Sequence, residues 1–372
     1  MMAEKNRQHY VPKFYLRNFS ETERAIDTYN LEYSKYISNS SIRNMCQKHN
    51  FYGSDNNLEI FLDREIEAKA SVIIKYILNN HQLPDIDKED YIHLIMFLLI
   101  TEARNLKNGD SIIKMSDHII KALMKEHPGF KKVNLNSFKV EIKNPVNHSI
   151  QHAIETTTLV LDLKPILIVE QTGARGFITS DNPIVRYNSF YLKKGYPGGF
   201  GYMTRGMLIF FPISPKKCIL LYDSLAYDVP NEKNGTLILK KAKDVDRLNE
   251  LFFLNAYNNV FFNQKIKRGY IEGIHKSNQK TPLIKELDRE LASFKSADSD
   301  GVLISYSQNR VAKNINFSWI KISDYANSLS IPIHMGGINR TESPYIAQYL
   351  AEQQLKYARK PQSTKKFLKL DE

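Results

Sequence analysis

The chain has 372 residues, 42% of them hydrophobic and 11% aromatic, enough for a sizeable buried core. Its only cysteines, Cys46 and Cys218, exclude a disulfide framework and a cysteine-rich zinc module. With 52 Lys and Arg against 40 Asp and Glu, the formal charge of +12 favours a polyanionic partner, nucleic acid first.

The opening residues, MMAEKNRQ, are polar and carry no apolar leader, so the chain reads as cytoplasmic. QHYVPKFYLRNF (8–19) follows, its proline confining it to an edge, a first turn or a loop. It predicts a short strand or turn leading into a docked segment. AIDTYN and SKYISNS, separated by a polar LEY turn, predict a hairpin and hence a small N-terminal β element. From Leu58 to Asn79 apolar residues recur at three and four, the pattern of an amphipathic helix. A second helix is expected after LPDID, with Asp87 as N-cap and Gly109 just past its end. Its centre, HLIMFLLI (93–100), must be buried, and is far shorter than the ~20 residues of a membrane span. A third helix is expected over about 110–126.

After Asn144-Pro145 a short helix gives way to β-rich runs: PILIVEQ, GFITSDNPIVRYN, MLIFFPISP and KCILLYD, bounded by Gly, Pro and Asn. DVDRLNELFFLNAY (244–257) returns to helix and NVFFN reads as a core strand. Further on, GVLISYS and INFSWIKIS read as strands, a last helix starts near Ser343-Pro344, and KYARKPQSTKKFLK reads as an unstructured basic tail. The expected class is α+β: a family-like core over 1–263, with a helical block at about 58–126 and a mixed sheet at about 165–263, then a helix-ended extension over 264–372.

The order of QHYVPKFYLRNF (8–19), the helix carrying Leu58, Glu59, Leu62 and Glu67, a buried helix ending in Arg104, GFITSDNPIV (176–185), FPISP (211–215) and DRLNELFFLNA (246–256) resembles domain of unknown function 4238, a large bacterial family. The likeness spans about 8–263. It implies little chemistry, the family being uncharacterised. Its members often accompany mobile and defence genes, which implies a role in phage conflict. Where the family pattern leads to a glutamine one turn before the buried arginine, this chain has Thr101, with Glu102 beside it.

Several residues are candidates for chemistry. His9 is suited to general acid or base work in phosphodiester cleavage, or is a hydrogen-bonded strap for the N-terminus. Ser180-Asp181-Asn182-Pro183 lies between two β runs. Asp181 there reads as metal ligand or base, with Ser180 and Asn182 orienting a phosphate, or the four form an Asx turn. From Asn182 to Tyr222 there is no Asp or Glu, while Arg186, Lys193, Lys194 and Arg205 interleave with Tyr191, Tyr202 and other aromatics on a glycine-rich stretch. An exposed hairpin of that composition would stack bases and track phosphates; the alternative is a loop whose aromatics cover the sheet. Arg17 and Arg104 are anion binders by type, Arg104 having Glu67 or Glu59 as an internal partner. His148 and His152, four apart, read as a solvated helix face.

Two functions follow as expectations. One is a defence or toxin nuclease, with His9 as acid or base, Asp181 as second base or divalent-metal ligand, and Arg17 as phosphate clamp. The other is a non-catalytic protein that recognises nucleic acid or a phage component.

Overall fold

QHYVPKFYLRNF divides at its proline: β1 (Arg7–His9) precedes it, and α1 (Lys13–Arg17) starts immediately after Pro12, whose fixed φ of −60° suits the residue before a first turn. The computed structural model describes residues 7–126, 128–173, 175–284, 292–298, 301–306, 310–332 and 337–358. The predicted hairpin is present as β2 (Ala25–Asn30) and β3 (Lys35–Ser41), and β4 (Gln47–His49) pairs back onto β1.

The helical block follows as α2 (Asn57–Phe61), a π-helical stretch over Leu62–Glu67, α3 (Ala68–Asn80), α4 (Glu89–Ala103) and α5 (Leu106–Glu126). Its boundaries correct the expected ones. Asp87 is not the cap, since Lys88 holds that position. The break falls at Arg104-Asn105, where Asn105 Oδ1 accepts the Asn108 N–H at 2.8 Å and starts a new helix. Gly109 therefore sits inside α5, where an added Cβ would lie 3.1 Å from Val146 Cγ1. That valine is on α6 (Pro145–Glu155).

Beyond α6 come β5 (Lys164–Glu170), β6 (Thr179–Ser180), β7 (Val185–Tyr187), α7 (Ser189–Lys193), β8 (Leu208–Ser214), β9 (Lys217–Tyr222), β10 (Tyr227–Asp228), β11 (Thr236–Leu239), α8 (Ala242–Leu254), β12 (Asn259–Phe262) and α9 (Arg268–Ser277). One sheet has the order β11-β5-β9-β8-β7, antiparallel except for the β11–β5 pair; a second, antiparallel, has the order β3-β2-β12-β6. The structure is thus α+β.

The central strands of the larger sheet run apolar on both faces, as in Ile166–Val169, Leu208–Phe211 and Ile219–Leu221, because both faces are covered. Leu208 and Phe210 of β8 face one core with α8 and α9, while Ile209 and Phe211 face the other with α3, α4 and α6. The C-terminal segment joins the first of these cores. INFSWI is not a strand there; it lays Phe317 and Trp319 against Phe210, with ring centroids 5.9 and 6.4 Å away. β13 (Ala292–Asp298) and β14 (Gly301–Tyr306) form a separate ladder, β15 (Lys321–Ile322) pairs with β10, and α10 (Asp324–Ser328) and α11 (Pro344–Ala358) follow. The tail from residue 359 lies outside the described residues.

Tyr15 on α1 ties the layers together. Fully buried, its hydroxyl meets Thr179 Oγ1 at 2.5 Å and donates to the Pro212 carbonyl at 2.7 Å, so the N-terminal motif is bonded to both β6 and β8. Tyr15→Phe strands both partners in the core and is expected to cost about 1–3 kcal/mol in urea denaturation. A loss below about 0.5 kcal/mol would show that this link does not hold the layers.

Candidate nucleic-acid interface

Asp181 is buried, and each of its carboxylate oxygens is occupied. Oδ1 accepts the Tyr257 N–H at 2.9 Å, and Oδ2 accepts those of Asn258 and Asn259 at 2.9 and 3.2 Å. The carboxylate thereby caps the turn between α8 and β12, three N–H groups that would otherwise lack acceptors. Burial pushes its carboxyl up to about 6 against the opposing pull of these donors. Ser180 Oγ accepts the Asn182 N–H at 3.1 Å, closing a local turn. Asn182 donates to the Asn255 carbonyl at 2.8 Å and accepts from Asn105 at 2.5 Å, while Asn255 returns bonds to the Asn182 and Ile184 carbonyls. All three SDN side chains therefore face inward.

Among the N-terminal candidates, His9 Nε2 meets the Arg43 carbonyl at 3.1 Å, and its own carbonyl accepts from Tyr52. Beside it, burial, then Cys46 and Asp181, push the Tyr10 hydroxyl well above its ordinary value. Arg17 is exposed on the last turn of α1. Arg104 is fully buried and pairs with Glu67 at 2.7 Å, one of its two expected internal partners.

The stretch after Asn182 is not the exposed hairpin that its composition predicts. Arg186 pairs with Glu102 at 2.9 Å, donates to the Phe200 carbonyl at 2.6 Å and stacks on Tyr202, which itself donates to Glu102. Arg205, 2% exposed, is bound by both Asp223 oxygens and by Glu342. Lys194 donates to the Asn327 and Leu329 carbonyls. Tyr191 is buried under Gly199 and Gly337, both at positive φ, where any Cβ would overlap its ring or hydroxyl. Of Arg186, Lys193, Lys194 and Arg205, only Lys193 is exposed. The two arginines of this acid-free run are thus neutralised by acids from elsewhere in the fold.

An open cleft of about 1300 Å³ lies instead between α8, α9 and the N-terminal segment. Six basic side chains line it, Arg175, Lys216, Lys243, Arg247, Lys265 and Lys267, against three carboxylates, Glu21, Asp246 and Glu250. Lys243 and Lys267 are exposed and carry no ion pair among the described residues. Arg175 is fixed by Asp246 at 2.7 Å and lies over the Tyr270 ring at 4.3 Å, so a planar cation is held ready in the wall. Gly269, Gly273 and Ser277, at i, i+4 and i+8, turn the smallest face of α9 to the cleft, and a Cβ at either glycine would meet nothing within 4 Å. The signal in the sequence was KRGYIEGIHKS (267–277), a helix with glycine at four-residue spacing and basic ends. His148 and His152 are exposed on α6, at a smaller cavity. Among the described residues no three His, Cys, Asp or Glu side chains gather as a metal-ligand set, and no helix among them is long and apolar enough to cross a membrane.

The model of a family described as "Protein of unknown function (DUF4238)" matches residues 7–266, and the chain belongs to that family. No curated protein and no solved structure matches it.

Because the Asp181 carboxyl sits above its ordinary 3.8 in the fold, the stability it contributes is present below about pH 4 and lost as pH rises through about 6. The stability of the native chain minus that of Asp181→Asn is therefore expected to fall by about 2 kcal/mol between about pH 4 and about pH 7 in urea titrations. A difference independent of pH would contradict this assignment.

Proposed function

We propose that this protein is a nucleic-acid recognition protein that binds a single strand along α9. The observation that carries the reading is the cleft itself: six basic residues beside a helix face reduced to glycine and serine. Glycine inside a helix costs up to about 1 kcal/mol relative to alanine. Among the described residues nothing would lie within 4 Å of a Cβ at Gly269 or Gly273 to repay that cost. A face kept bare toward an open basic cleft fits close approach by a phosphate backbone. The guanidinium of Arg175, backed by Tyr270, offers a platform for an unpaired base.

Recognition is favoured over cleavage by the state of the two residues first considered for catalysis. The Asp181 carboxylate is filled by three backbone donors, and His9 Nε2 is engaged with the Arg43 carbonyl. The role in phage conflict implied by the family resemblance is compatible with recognition and cleavage alike; the cleft argues for binding.

Fluorescence anisotropy with labelled single-stranded RNA and DNA 20-mers tests the reading. Lys243→Glu with Lys267→Glu is expected to weaken binding at least tenfold and to lower the slope of log K against log salt by about 1.4, two contacts at about 0.7 each. Gly273→Leu is expected to weaken binding while leaving the salt slope of residual binding unchanged. Equal affinity in both variants and the native chain would refute the cleft as the binding site.

A further inference from the structure

One cation in the wall of the α9 cleft is held differently from the rest. Arg175 is clamped at Nε by Asp246 Oδ1, 2.7 Å away, and its guanidinium lies over the Tyr270 ring at 4.3 Å. Tyr270 is itself fixed, since its hydroxyl donates to the same Asp246 oxygen at 2.8 Å and accepts from Asn249 Nδ2 at 3.0 Å. Asn249 also donates to the carbonyl of Gly176, the residue after Arg175, at 2.9 Å. Gly176 in turn lies so close to Pro215 that an added Cβ would come within 2.9 Å of the proline Cβ, and the Pro215 carbonyl accepts the Phe177 N–H at 2.8 Å. GFITSDNPIV, FPISP and DRLNELFFLNA thus meet behind this one guanidinium.

The far edge of that guanidinium stays open. Nη1 and Nη2 bond no acceptor among the described residues, so a planar fork is offered to the cleft with its position already set. Such a fork can take a phosphate or the edge of a base, and Asp246 decides between them. In contact with Nε, its carboxylate offsets the charge of the guanidinium and would repel an anion arriving at the neighbouring Nη groups. A neutral pair of acceptors meets no such repulsion. Lys243 and Lys267, exposed and without ion pairs among the described residues, are the better partners for phosphates.

We propose that Arg175 selects guanine in the bound strand, its Nη edge donating to O6 and N7, an assignment that rests on the cleft being a single-strand site. The outer face of the guanidinium stacks on any base; the edge discriminates. Guanine sets two acceptors side by side on that edge, whereas adenine has N7 beside an amino group, which would face a second donor. Cytosine also has adjacent acceptors, N3 and O2. Its O2 adjoins the glycosidic bond, however, so reading it brings the sugar and its phosphate toward Asp246. Asp246 and Tyr270 are positioning residues, acting on the base through the guanidinium that they hold.

Fluorescence anisotropy of the full chain with uridine 12-mers carrying one central guanine, adenine or cytosine, or none, tests the assignment. The guanine strand is expected to bind about tenfold tighter than the other three. Arg175→Lys keeps the charge but loses the fork, and is expected to bring all four strands to the same affinity. Asp246→Asn leaves an acceptor for Nε but removes the repulsion, so the uridine strand should bind more tightly, with a salt slope steeper by about 0.7, one added phosphate contact. Lys243→Glu with Lys267→Glu should weaken all four strands alike. Arg175 and Asp246 are 39 and 36% exposed, and the strand series in the native chain decides the matter if either variant does not fold by circular dichroism. Equal affinity of the native chain for all four strands, tighter binding of the adenine or cytosine strand, a guanine preference kept in folded Arg175→Lys, or an unchanged salt slope in folded Asp246→Asn would each overturn the proposal. Equal affinity that still falls in the lysine variant leaves the cleft reading standing, whereas absence of binding to every strand removes both.

Discussion

The fold depends on one buried carboxylate meeting the buried turn that follows a helix. The turn after α8 presents three backbone N–H groups to the interior, where water is excluded and each unpaired donor is costly. Asp181 answers all three. That fixes the β6–β7 turn against the α8–β12 turn, and the neighbouring side chains extend the lock. Asn182 and Asn255 exchange bonds across the two turns, and Asn249 holds the segment that leads into β6 by accepting the Ile178 N–H and donating to the Gly176 carbonyl. Asn182 also reaches Asn105, carrying the constraint into the break between α4 and α5. Tyr15 closes the circuit by bonding α1 to β6 and β8.

The family motifs are therefore largely each other's partners. HYVPKFYLRNF supplies Tyr15, GFITSDNPIV supplies Thr179, Asp181 and Asn182, FPISP supplies the Pro212 carbonyl, and DRLNELFFLNA supplies Asn249 and Asn255. Long polar motifs on otherwise apolar elements look catalytic in a sequence. Here polarity arises because loops and strand ends buried between two cores must satisfy their own backbone. That accounts for motif residues that face inward and leave Asp181 without an open face for substrate.

Much of the architecture was legible because it rests on local patterns. The hairpin, the amphipathic helix near 58–79, the buried helix through 93–100 and the β runs of the central sheet follow from periodicity and from runs that are apolar on both faces. The break at Arg104-Asn105 was not legible, because Gly109 looked like a stop and proved to be a packing glycine beneath Val146. The 186–206 segment misled for a different reason. Its charge is balanced by Glu102, Asp223 and Glu342, which are distant or outside the segment, so a count along the chain cannot register the pairing. The cleft was missed because its cations come from four separate stretches, none basic enough alone to stand out.

Those pairings divide the positive charge of the chain into two physical kinds. Arg104, Arg205 and Arg340 are almost wholly buried against Glu67, Asp223 and Asp162, and removing a carboxylate from any such pair would leave a desolvated cation. These arginines add to the formal count without adding to the field that a partner meets. Lys243 and Lys267 are hydrated and carry no ion pair among the described residues, so a phosphate reaching them need not first displace an internal carboxylate. For long-range attraction the relevant charge is that of the exposed lysines and arginines. For shape-specific recognition it is the partly buried, pre-fixed guanidiniums, because their desolvation and ordering have already been met by folding.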